Sequence, residues 1–168
     1  MSRLKAGVLV ALLSAGLVAG CGGGEAKKQT KEQFIAQADT VCAEVADNLQ
    51  RKGSTEPKTP EEIAQANNVL ADAYRDLADA LSKIQLPGGA DRSGAKAYVD
   101  SVRRSDPVLA KLRSSAQALV DAVNGTDVRA LSAAGNDVRA ALDGFRKARA
   151  DSDLLAVRYG FNVCGNLG

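Results

Sequence analysis

Between Thr59 and Pro87 an apolar residue returns every seven positions, at Ile63, Leu70, Leu77 and Ile84, with Ala66, Tyr74 and Leu81 between them. That repeat places the side chains on one stripe of an α-helix, and the stripe must be buried against other helices. The start of this helix is equally specific. Thr59 can cap it, Glu62 completes a capping box, and Pro60 suits the first helical position, where an N–H would go unbonded anyway. The Leu86-Pro87-Gly88-Gly89-Ala90-Asp91 run then breaks the chain.

The remaining chain from Thr30 onward follows the same period. A first helix opens on Thr30 and Gln33, carries Phe34, Ala38, Val41, Val45 and Leu49 on one face, and stops at Gly53. A third carries Tyr98, Val102, Leu109, Leu112, Ala116, Leu119 and Val123, interrupted by Pro107, and is expected to be one kinked helix. After Asn124-Gly125-Thr126-Asp127, which pairs a stop with a new cap, a fourth follows Val128, Leu131, Gly135, Val138, Leu142 and Phe145. Gly135 on that stripe suggests a close helix–helix approach, since glycine costs a helix interior about 1 kcal/mol relative to Ala. The pattern weakens at Arg149 and Ser152 and resumes at Leu155 and Tyr159. Gly160 is placed to be a left-handed cap residue with Phe161 as its apolar partner. No segment alternates in twos, so strands find no support. Four helices on short loops predict an all-α, antiparallel up-down bundle over residues 30–168, with the start of the first and the end of the fourth at one end.

The first twenty residues read as an address rather than as fold. Arg3 and Lys5 precede an apolar run from Gly7 to Val18, too short for a membrane span, which needs about 20 apolar residues. Val18-Ala19-Gly20-Cys21 resembles the lipobox of bacterial lipoproteins. That resemblance implies cleavage before Cys21, acylation of Cys21, and a location on the outer face of the cytoplasmic membrane. Residues 21–29 then form a Gly-rich tether with an r.m.s. reach of about 15 Å, which keeps the folded part near the bilayer. The whole chain has 22 Lys and Arg against 20 Asp and Glu. Losing Arg3 and Lys5 leaves it formally neutral, without the basic excess that nucleic acid calls for.

With Cys21 assigned to lipid, Cys42 and Cys164 remain, and in an oxidising compartment two such cysteines are most simply a disulfide. It would staple the short C-terminal tail to the first helix. A redox or metal-binding dithiol is the alternative, but there is no Cys-x-x-Cys spacing and no His. The segments from Phe34 to Cys42 and from Tyr159 to Gly165 also resemble a group of small actinobacterial lipoproteins. The resemblance implies anchor, bundle and disulfide, and carries no catalytic residue with it.

The chemical inventory is thin. Without His, di-metal bundle chemistry, c-type haem attachment and imidazole-based hydrolysis lack an essential ligand or base, so no catalytic residue, metal or cofactor is expected. Asp72, Asp76 and Asp79 with Arg75 lie off the apolar stripe and read as a solvated face. One group is more interesting. Folding back across Asn124-Gly125 brings Arg149 opposite Val102 and Ser152 close to Tyr98, with Asp153 and Tyr159 nearby. If Tyr98, Arg149, Ser152 and Tyr159 converge, an anion or a polar ligand head is the natural guest; the plainer outcome is that Arg149 turns outward. The sequence therefore predicts a lipid-anchored, non-enzymatic binding module of the cell envelope, with an unknown envelope protein or ligand as partner. A small-molecule or lipid carrier with a slot between helices is the alternative.

Overall fold

A computed structural model describes residues 28–53 and 56–167. The expected signal peptide, Cys21 and most of the tether lie outside the described residues. Among the described residues the chain is helical and has no strand. Helix α1 spans Lys31–Lys52 and α2 spans Pro60–Lys83. Both open on the capping boxes written in the sequence: Thr30 accepts from the Gln33 N–H at 3.3 Å and Thr59 from the Glu62 N–H at 3.2 Å. The side chains of Gln33 and Glu62 bond back to the two cap residues.

The third predicted helix is divided. Helix α3 spans Asp91–Arg103 and α4 spans Asp106–Val123. Arg104 and Ser105 close α3 through bonds to Asp100 and Val102, and α4 restarts with a Leu109 N–H to Ser105 bond. Pro107 cannot donate to the carbonyl one turn back and its ring crowds that carbonyl. Ser105, only 2% exposed, sits at the corner.

Helix α5 runs unbroken from Val128 to Tyr159. Asp127 caps it through the N–H groups of Arg129 and Ala130. It ends on Gly160 at φ 102°, with Gly160 N–H bonded to Val157 and Phe161 N–H bonded to Ala156. This is the expected left-handed termination in its Schellman form. A single 3-10 turn, Cys164–Asn166, follows.

Helix α2 lies between α1 and α4, while α5 packs chiefly on α4, then on α3 and on the tail. Leu77, Leu81, Tyr74, Val138 and Phe145 of the predicted stripes are buried, but a neighbouring line of small residues shares the core with them. On α2 the small side chains of Ala64, Ala71 and Ala78 are buried while Ile63, Leu70 and Ile84 are only half-buried. Alanine permits a shorter interaxial distance, so Ala64, Ala71 and Ala78 are buried beside Leu77 and Leu81 while Ile63, Leu70 and Ile84 flank the contact. On α5 the buried line is Ala134, Val138, Ala141 and Phe145, and Val128 and Leu131 are left exposed. Gly135 does not mark a close approach: a Cβ there would meet nothing within 4 Å.

All the aromatic side chains are buried. Tyr74 and Phe145 form a T-shaped pair at 4.8 Å between α2 and α5. Phe34, Tyr98, Tyr159 and Phe161 gather at the end where α1 begins and α5 stops. Every buried apolar side chain described lies from Phe34 to Leu167, so the domain carries its described core without the first 28 residues.

Candidate functional site

The expected staple is present, with Cys42 of α1 joined to Cys164 of the tail across a Cα–Cα distance of 5.2 Å. Beside it stands a second device that sequence reasoning missed. The Asp39 carboxylate, one turn before Cys42, accepts backbone N–H bonds from Asn162 at 2.9 Å, Val163 at 3.0 Å and Cys164 at 3.0 Å. A loop leaving a helix carries unbonded N–H groups that need partners, and an ionised carboxylate binds them more strongly than a neutral acceptor. Phe161, just ahead of this clamp, is inserted against Tyr98 at 4.6 Å, Tyr159 at 5.2 Å and Phe34 at 5.9 Å. The tail is thus held by a covalent bond, three charged hydrogen bonds and an aromatic wedge.

Of the four residues proposed as a polar group, Tyr98, Ser152 and Tyr159 each make a described hydrogen bond to a different partner outside the group. Tyr98 is 1% exposed, and its hydroxyl lies 3.7 Å from Cys42 Sγ. That sulfur is bound in the disulfide, so the hydroxyl is the donor. Burial pushes the Tyr98 phenol well above its ordinary value, with the Asp153, Tyr74 and Asp39 groups adding to the effect. Tyr159 points elsewhere: its hydroxyl donates to the Asp91 carbonyl at 3.1 Å, and the Lys31 ammonium sits 4.8 Å from its ring centre. Ser152 is buried but turns its hydroxyl onto its own helix, donating to Ala148 at 3.2 Å.

Arg149 does not turn fully outward. It is half-buried, with Nε 3.3 Å from an Asp153 carboxylate oxygen one turn along α5. Asp153 is held above the usual carboxylate range by desolvation, which the Arg149 charge opposes only in part. Burial likewise raises the Tyr74 phenol, where Arg149 pulls down and Asp153 pushes up. Tyr98, Tyr74 and the Arg149–Asp153 pair therefore share one electrostatic neighbourhood. Because Asp153 already supplies the counter-charge to Arg149, an anionic guest would have to displace a carboxylate from within the same helix.

Tyr159 also explains Gly94, which sequence reasoning did not single out. A Cβ at Gly94 would stand 2.6 Å from Tyr159 Cδ2, so the ring fits over α3 only because that position has no side chain.

The grooves lie on the outer faces. One of about 520 Å³ follows α5 over Ile63, Leu119, Val138 and Leu142, with Arg139 and Arg146 on its rim, and the Arg149–Asp153 pair does not line it. Another of about 350 Å³ separates α2 from α4 near Gln65, Asp72 and Gln117. Among the described residues no group of three or more His, Cys, Asp or Glu side chains is placed to hold a metal ion. Nor is any described helix long and apolar enough to cross a membrane. Compared with known proteins, the chain matches no family model, no curated protein and no solved structure.

Proposed function

We propose that this chain is a lipid-anchored, extracytoplasmic helical bundle that works by binding an envelope component rather than by catalysis. The observation that carries the reading is the Cys42–Cys164 pair, which leaves Cys21 as the one cysteine outside the staple. Disulfides persist in exported proteins, and a lone cysteine after Val18-Ala19-Gly20 is suited to acylation. Two or more acyl chains give stable anchoring where one is marginal. The bundle itself is read as up-down: Gly144 of α5 stands beside Val108 early in α4, whereas Tyr159 meets Asp91 and Gly94 at the start of α3. In that arrangement the stapled end carries the anchor. The exposed Val123, Val128 and Leu131 then lie at the far end, free to face a partner.

The absence of enzymatic activity is part of the proposal. Its support is that Tyr98, Ser152, Tyr159 and the Arg149–Asp153 pair are each engaged in internal contacts. The anchor is tested on the full chain expressed in a lipoprotein-processing bacterium. Acylated Cys21 in the mature N-terminal peptide, with Cys21→Ala abolishing processing before that position, is the expected result. An unmodified Cys21 at the mature N-terminus, or cleavage elsewhere, overturns it. Binding is tested by photo-crosslinking in intact cells from Leu131. One recurrent adduct supports the reading, and its absence under conditions that crosslink a control lipoprotein opposes it.

A further inference from the structure

Lys28 and Gln29, just ahead of α1, pack on the bundle. Lys28 lays its stem against Gly88, where an added Cβ would stand 3.2 Å from Lys28 Cβ, and the Gly88 N–H donates to the Gln29 carbonyl at 3.2 Å. These contacts seat the last tether residues on the loop between α2 and α3. Beside them opens a groove of about 350 Å³ lined by Lys28, Gln85, Leu86, Gly88, Gly89 and Arg92. Lys28 and Arg92 are exposed, and neither has a carboxylate partner among the described residues. Lys83, at the last turn of α2, Arg158, at the last turn of α5, and Lys31 belong to the same end of the molecule. Among the described residues Glu32 and Asp91 in the adjoining first turns, and Asp79 one turn before Lys83, oppose them. A domain that is formally neutral without Arg3 and Lys5 therefore concentrates positive charge at the end where its tether enters.

From this placement we infer that the Lys28–Arg92 groove and the cations around it form a docking surface for anionic phospholipid headgroups of the leaflet that holds the anchor. The inference rests on the proposed acylation of Cys21. Cys21 and Lys28 are seven positions apart, a span of about 15 Å r.m.s. for a Gly-rich chain. The groove is thus held within about two Debye lengths of the bilayer surface. Headgroup phosphates carry the complementary charge. The Arg92 fork can hold two phosphate oxygens and the Lys28 ammonium supplies a compact point charge. Contact here would set the bundle on end, with the α4–α5 turn directed away from the membrane.

The test separates this contact from the anchor by using the chain from Gly22 onward, which holds the whole described core and no acyl group. Its sedimentation is measured with millimolar phosphatidylcholine vesicles, with and without one-third phosphatidylglycerol. The expected result is partitioning only onto the anionic vesicles, falling as salt rises. Each cation removed should cost about fivefold, so Lys28→Ala with Arg92→Ala should lose roughly 25-fold. Arg146→Ala, an exposed cation on α5 away from this end, should leave partitioning unchanged. Equal partitioning on both vesicle types, or an equal loss from Arg146→Ala, overturns the inference. So does displacement by millimolar glycerol phosphate, which would mean a soluble anion site. Unmodified Cys21 in cells would sink the anchor reading, whereas these vesicle results bear on the headgroup contact alone.

Discussion

The two ends of the bundle are built on different principles. At the tail end, Phe34, Tyr98, Tyr159 and Phe161 interlock, a disulfide closes over them, and Asp39 holds three backbone N–H groups. At the α4–α5 turn the buried residues of α5 are Ala134, Val138 and Ala141, and Val123, Val128 and Leu131 are exposed, as Leu154 and Val157 are nearer the tail. Aromatic burial and a cross-link fix one geometry, whereas short aliphatic contacts define position less sharply. The stapled end is tied by covalent, charged and aromatic contacts, and the other end by aliphatic burial.

Opening the staple should have the largest effect. With 122 positions between its cysteines, the Cys42→Ala, Cys164→Ala pair should lose about 4–5 kcal/mol in urea unfolding at neutral pH. A loss below about 1 kcal/mol would mean that Asp39 and Phe161 hold the tail unaided. Asp39→Ala should cost about 2–3 kcal/mol, because it strands three N–H groups at the partly buried tail. Native-state hydrogen exchange should locate that loss at Asn162, Val163 and Cys164.

Two glycine substitutions sharpen the contrast. Gly94→Ala should destabilise by about 1–3 kcal/mol, since its Cβ meets the Tyr159 ring, which is fixed by neighbours. Gly135→Ala, facing open space on α5, should stabilise by about 1 kcal/mol. Thermal unfolding of both variants checks the opposite signs; two changes of the same sign would erase the distinction between the ends.

Alkaline pH probes the aromatic end. Burial raises Tyr98 above the ordinary phenol value of 10.0, so the folded state keeps its proton after the unfolded chain has lost it. The stability from this group is complete below pH 10.0 and is lost as pH climbs from there through the higher folded value. Tyr98→Phe should flatten the decline above pH 10, measured by urea unfolding across pH 8–11, although the raised Tyr74 and Tyr159 phenols will retain part of the slope. The smallest effect belongs to the α4–α5 turn. Val128→Ser, at a residue 77% exposed, should change stability by less than about 0.5 kcal/mol.

Much of the fold was legible because it is local. Thr30 with Gln33, Thr59 with Pro60 and Glu62, Asp127 and Gly160 each act through bonds within a few residues, and each does in the structure what its spacing predicts. Pro107 was legible as an interruption, but whether a helix bends or divides depends on how the flanking turns pack, and here it divides at Arg104 and Ser105. The polar group was less legible. Tyr98 and Asp153 are brought into one neighbourhood as the chain's fold-back suggests, yet Tyr159 and Ser152 take other partners.

The sequence by itself indicated the helical class and the caps at Thr30, Thr59, Asp127 and Gly160, since periodicity and hydrogen-bonding side chains are properties of the chain alone. It pointed to Cys42 and Cys164 as a pair only through the lipobox resemblance at Cys21. Only the tertiary structure decided that Asp39 clamps the tail, that Tyr159 lies over Gly94, and that Lys28 rests on Gly88 beside Arg92. Those contacts join residues between 60 and 125 positions apart, where no local preference links the partners and close packing alone selects which side chain meets which backbone.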